Sequence, residues 1–150
     1  MRIILAVLAL FLGSLVPAFA TGSLTCEAED KSIALAVQAA LGGLRRGTVM
    51  NFGGTLALKV RTTPADLRKL DLKQEDVTQA WLDSKVFKLE IYRERTESPG
   101  AYVLLTIDTR KVDENRYRGR YTLTFDVAGP DNAFGSRPTR VQGDAACGVD

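Results

Sequence analysis

The chain has 150 residues, with 20 Lys and Arg against 18 Asp and Glu, and no histidine. Balanced charge supplies no bulk field for nucleic acid or an anionic membrane. Without histidine no Ser-His-Asp or Cys-His arrangement can form, the usual histidine-containing zinc and copper sites are excluded, and the general base that titrates near neutrality is missing. The composition therefore weighs against an enzyme, with carboxylate, lysine or tyrosine chemistry left open.

The first element is a leader. Met1-Arg2 gives a positive start, Ile3 to Leu12 an apolar run, and Gly13 and Pro17 break it before Ala18-Phe19-Ala20, a small-x-small cleavage pattern. The unbroken run is about half of the ~20 residues a spanning helix needs. The pattern predicts a signal peptide over 1–20 and a single β-rich domain over 21–150. That domain is expected to be periplasmic or secreted, with no stable membrane insertion after cleavage.

Export decides how the two cysteines are read. Cys26 follows the leader closely and Cys147 lies near the end. In an oxidising compartment such a pair becomes a disulfide. Closing so long a loop is worth ~4–5 kcal/mol in the chain-entropy account. A redox pair would sit in Cys-x-x-Cys, which these residues do not form.

Along the chain the dominant signal is period-two alternation. Ile33, Leu35, Val37, Ala39 and Leu41 share one phase, and Gly42-Gly43 ends the run before a basic loop at Leu44-Arg45-Arg46-Gly47. Met50, Phe52, Leu56, Leu58 and Val60 form the next apolar phase, with Gly53-Gly54 marking a bulge or close approach. Thr63-Pro64-Ala65-Asp66 reads as a helix start with Thr63 as cap, and predicts a turn near 64–69. Val77, Ala80 and Trp81 have helical spacing, with Asp71 and Gln74 as a cap pair, and predict a short helix over 73–82. Phe87, Leu89 and Ile91, then Val103, Leu105 and Ile107, predict a hairpin of 85–95 with 101–109 about a Ser98-Pro99-Gly100 turn. Tyr117, Tyr121, Leu123, Phe125 and Val127 line a further strand, and Val141, Ala145 and Cys147 the last. The sum is an all-β fold: an antiparallel sandwich or small barrel of six to eight strands with one or two short helical segments. Cys26 and Cys147 would then join neighbouring first and last strands.

Arg116, Arg118 and Arg120 alternate along one strand and project from one face. They form either an anion-binding stripe or, as the simpler reading, a solvated face paired to acids such as Glu90 and Glu94 on a neighbouring strand. Glu27, Glu29 and Asp30, and separately Asp113 and Glu114, carry calcium-type oxygen donors but lack the spacing of a calcium loop. Glu75 and Asp76 are adjacent and do not face one another on a helix. No glycine pair matches a phosphate or dinucleotide loop. Trp81, the single tryptophan, is expected to plug the core beneath the sheet rather than anchor an interface. No catalytic residue, metal site or cofactor is assigned.

The leader, Ser23-Leu24-Thr25-Cys26, Asn51-Phe52-Gly53-Gly54-Thr55-Leu56, Gln79-Ala80-Trp81-Leu82 and Ala145-Ala146-Cys147 together resemble small exported proteins of α-proteobacteria. That resemblance implies no activity. In plan only, Cys26, Cys147 and Trp81-Leu82-Asp83-Ser84-Lys85 are similar to the small periplasmic barrels that inhibit C-type lysozymes. The Ser-Gly-x-x-Tyr type signature of that family's inhibitory loop has no match here, so no functional residue is carried over.

The expected function is a non-enzymatic binding or structural module of the envelope. Its expected partner is an envelope or extracellular protein or polysaccharide, and not nucleic acid; the oligomeric state is left open. The alternatives are a periplasmic inhibitor acting through a loop over 129–138, or a carboxylate hydrolase with two acids facing across a pocket.

Overall fold

The computed structural model describes residues 22–42, 48–96, 101–126 and 138–150. The leader, the basic loop at 44–47, the turn at 98–100, Val127 and residues 129–137 of the long loop lie outside these.

The alternation resolves into nine strands: β1 (Gly22–Glu29), β2 (Ile33–Leu41), β3 (Val49–Leu58), β4 (Lys69–Lys73), β5 (Val77–Leu82), β6 (Val86–Glu94), β7 (Tyr102–Asp113), β8 (Arg116–Phe125) and β9 (Thr139–Val149). They form one antiparallel sheet in the order β4-β3-β2-β1-β9-β8-β7-β6-β5. The all-β expectation holds, with slightly more strands than expected. Every ladder except β1–β9 joins strands consecutive in sequence.

Strict antiparallel alternation has a consequence for the sheet's two edges. It makes β4 and β5 run in the same direction, with only the 3-10 turn Gln74–Asp76 between them. They are therefore successive segments of one bent stave. Its upper half ladders to β3 through Gly53–Ala57, and its lower half ladders to β6 through Phe87–Ile91. The sheet curls into a nearly closed barrel of eight staves, one of them broken. Gly22 and Asp150 both lie at its lower end.

One face of each strand fills the interior. Leu24, Cys26, Ile33, Leu56, Phe87, Leu89, Leu105, Ile107, Tyr121, Leu123 and Phe125 are fully buried. Eight staves leave an interior just wide enough for such side chains. Charged residues such as Lys88, Asp108, Arg118 and Arg120 face outward. That is the inverse of a membrane-spanning barrel, whose outer band is apolar.

The ladders have three irregularities: one lies between Lys111 and Asp113 at the end of β7, and the other two shift the phase of the alternation. In β3 the register slips opposite Gln38 and Ala40, and Asn51 takes φ 52°. Val49 and Phe52 both turn inward, so Met50 faces out instead of sharing the core phase with Phe52. Gly54, at φ 156°, lies so close to β2 that a Cβ there would sit 2.2 Å from the Ala36 carbonyl oxygen; only glycine fits. The second bulge lies between Val77 and Gln79. One extra residue puts Val77 and Ala80 on the inner side and Trp81 on the outer. The segment expected as a helix over 73–82 is thus a 3-10 turn followed by a strand, and Trp81 is 62% exposed rather than a core plug.

The other helical segment is the 3-10 turn Ala65–Leu67, which docks the buried Leu67 over the upper end. Thr63 does not cap it: its hydroxyl is buried and has no hydrogen-bond partner among the described residues.

Candidate functional site

At the β1–β9 seam Cys26 and Cys147 stand directly opposite, bonded, with Cα atoms 4.1 Å apart. Both are buried. The seam continues to the chain end, where Ser23 and Asp150 exchange backbone hydrogen bonds of 2.9 and 3.0 Å. This clasp carries no redox motif and is structural.

Above it lies a second tie. Asp30 closes the β1–β2 turn: one carboxylate oxygen accepts from the Ser32 and Ile33 N–H groups at 2.6 and 3.0 Å. The other accepts from the Tyr121 hydroxyl at 2.6 Å. Burial acts to raise the Asp30 pKa, but the Tyr121 hydroxyl and the two N–H groups outweigh it and hold the carboxyl below its ordinary range. Burial first, and then Asp30 itself, push the Tyr121 phenol far above its usual value. Gly143 lies opposite Tyr121 on β9. A Cβ there would fall 2.2 Å from the Asp30 carboxylate and 2.5 Å from the Tyr121 ring. Asp30 is thereby turned away from Glu27 and Glu29, which face outward on β1, and the three do not form a cluster. Asp113 is paired to Arg116, which with the Glu114 N–H holds its carboxyl below the ordinary range. No group of three potential metal ligands occurs among the described residues.

The three arginines do share the outer face of β8, but their neighbours differ from those expected. β8 lies between β7 and β9, so Glu90 and Glu94 on β6 are two strands away. The acids beside Arg120 are instead Asp108 and Asp144, its direct partners on either side. With Lys88, which pairs to Asp108 at 3.0 Å, they form a row of alternating sign across four strands. Arg116 binds Asp113 at 2.5 Å. Arg118 is the exception. Its partner on β7 is Arg110, and its partner on β9 is Ala146. Like charges directly opposite one another are unfavourable, and among the described residues neither has an acid within ion-pair distance.

Arg118 also rims a shallow outer groove of about 480 Å³ lined by Glu27, Glu29 and Asp144. Glu27 and Glu29 share one strand face rather than opposing each other across a cleft. A carboxyl that must hold a proton near neutrality needs burial or like-charge crowding. Glu29 is 79% exposed and paired to Lys59 at 3.2 Å. Asp144, on the β9 side of the groove, is exposed as well, so none of the three carboxylates has the burial that would hold a proton near neutrality.

At the broken stave, side chains stand in for the missing ladder. Arg93 on β6 grips Asp76 through two bonds of 2.8 and 2.5 Å and the Asp71 carbonyl on β4 at 2.7 Å. Asp76 is buried and also accepts from the Lys73 N–H at 2.7 Å. Gln74, expected as half of a cap pair with Asp71, instead accepts from the Phe52 N–H at 2.9 Å and donates to the Val49 carbonyl at 3.3 Å. It thus covers the lower edge of β3. Higher up, Arg95 holds Asp66 through two bonds of 2.8 Å, and that contact keeps the Asp66 carboxyl below its usual range.

Comparison of the chain with protein families, curated proteins and solved structures finds no match.

Proposed function

We propose that the chain is an exported, non-enzymatic binding module that holds an anionic component of the envelope or extracellular space against the outer face of β7 and β8. The observation that carries this reading is the Arg110–Arg118 pair, two arginines directly opposite on adjacent strands, neither with an acid within ion-pair distance among the described residues. A partner carrying carboxylate, sulfate or phosphate groups relieves that repulsion and gains forked hydrogen bonds. Three further features support a binding role. Buried apolar side chains line the interior, histidine is absent, and the carboxylates of the outer groove are all exposed. The periplasmic or secreted location rests on the leader pattern, and the intramolecular disulfide is compatible with it.

The test is calorimetric titration of the disulfide-bonded protein with dextran sulfate, and with neutral dextran as control. Binding is expected for the sulfated polymer alone, to weaken steeply with salt, and to fall at least tenfold in the double variant Arg110→Gln/Arg118→Gln. Equal binding of both polymers, or no loss in the variant, would sink the reading.

A further inference from the structure

A strand edge that is not blocked is a template for another strand. Around the broken stave, Gln74 takes the free backbone groups of β3, and Arg93 takes that of β4 at Asp71. No described residue gives the lower half of β5 such cover. Its phase follows from the turn below it, where the Asp83 N–H donates to the Val86 carbonyl at 3.0 Å. Antiparallel bonding alternates, so Trp81 and Gln79 direct their backbone groups to β6. Ala80 and Leu82 then direct theirs away from it, toward the open side. No described residue bonds them there, and β3 is not laddered to β5. Between them stands Trp81, 62% exposed on the outer face.

This edge is self-complementary. Laid antiparallel on a second copy about a two-fold axis at Trp81, Ala80 of each copy meets Leu82 of the other, and both turn their backbone groups to the open side. The two Trp81 side chains then lie directly opposite on one face, as a cross-strand aromatic pair. Outside them the same register sets Gln79 against Asp83 and Thr78 against Ser84, with no like charges opposed. An isologous contact of this kind closes after two copies. We propose that β5 is a self-association edge and that the chain forms a two-fold dimer through strand addition centred on Trp81. This inference stands on observations separate from the arginine face.

Sedimentation of the mature, disulfide-bonded protein over a range of concentrations tests it, with tryptophan emission as a second reading. Trp81 is the only tryptophan, so its emission reports this contact alone. A monomer–dimer equilibrium is expected, with emission shifting to the blue as dimer accumulates. Ala80→Pro removes an N–H that faces away from β6, a position where a strand tolerates proline. It should weaken association at least tenfold while leaving the monomer's circular dichroism unchanged. Trp81→Lys, at an exposed site, should do the same in sedimentation and guards against a proline-induced fold change. A monomer at every concentration overturns the proposal. So does a dimer that persists in Trp81→Lys. Protection of the Ala80 and Leu82 amides from exchange only after an envelope extract is added would assign the edge to a foreign strand, and also overturns it.

Discussion

The barrel has two junctions that need special fastening, and they are fastened in opposite ways. At the β1–β9 seam the strands come from opposite ends of the chain, yet the backbone ladder forms and a buried disulfide crosses it. At the broken stave the segments are nearly continuous in sequence, yet they do not ladder to each other, and long polar side chains from neighbouring strands hold the place. Nearness along the chain sets every other ladder, and these two junctions are where it does not apply. The seam resists opening through a covalent bond and a backbone ladder. The stave resists through hydrogen bonds that each depend on one side chain.

The largest effect should come from the seam. Replacing both cysteines, Cys26→Ala with Cys147→Ala, removes a cross-link spanning 121 residues. The loop-closure account expects a loss of ~4–5 kcal/mol. Urea unfolding should show the midpoint falling sharply, and an unchanged midpoint would show that the ladder alone closes the barrel. The stave comes next. Arg93→Ala leaves the buried Asp76 carboxylate without its cation. Breaking a fully buried pair costs about 3–5 kcal/mol; because the Arg93 side chain is 27% exposed, solvent reduces this to roughly 2–3 kcal/mol. The same urea series measures it, and a cost below that of Gln74→Ala would reverse the roles assigned to the two side chains.

Smallest is Tyr121→Phe, which removes one hydrogen bond to a carboxylate and should cost about 1.5–2 kcal/mol at neutral pH. Its pH dependence sharpens the assignment. The folded-state pKa of Asp30 is lowered, so the stability it contributes is present above the unfolded value of about 3.9 and is lost as pH falls through the lowered folded value. The gap between wild type and Tyr121→Phe should therefore narrow below about pH 4. A gap that stays constant into strong acid would show that the hydroxyl acts by packing alone.

Much of the fold was legible because most strands keep strict period two: the inward sets of β1, β2 and β6 to β9 can be read directly along the chain. The failures fall at the bulges. An extra residue after Val77 turns an i, i+2 inner phase into the i, i+3 spacing of Val77 and Ala80, which imitates a helix and moves Trp81 to the outside. Asn51 does the same to Met50. The shared face of the arginines was legible for the same reason of period. Their neighbours were less so: Arg110 meets Arg118 only in the register of the β7–β8 hairpin, which slips at Lys111/Asp113, and Asp144 comes beside Arg120 only because β9 lies between β8 and β1. The Asp30–Tyr121 tie and the Arg93–Asp76 grip join residues 91 and 17 positions apart, and no local pattern announces either.

The meeting of Ser23 and Asp150 beside the disulfide gives the molecule a property that goes beyond its stability. With first and last strands adjacent and every other ladder sequential, the order of strands is a ring with no privileged starting point. The chain is in effect a circular meander cut at the clasp, where Cys26 and Cys147 do the work a hairpin loop would otherwise do. A circularly permuted chain that began at β5, ran through a short linker from Asp150 to Gly22, and ended at β4 would preserve every strand pairing. Its new ends would fall at the one place where the backbone ladder is already interrupted.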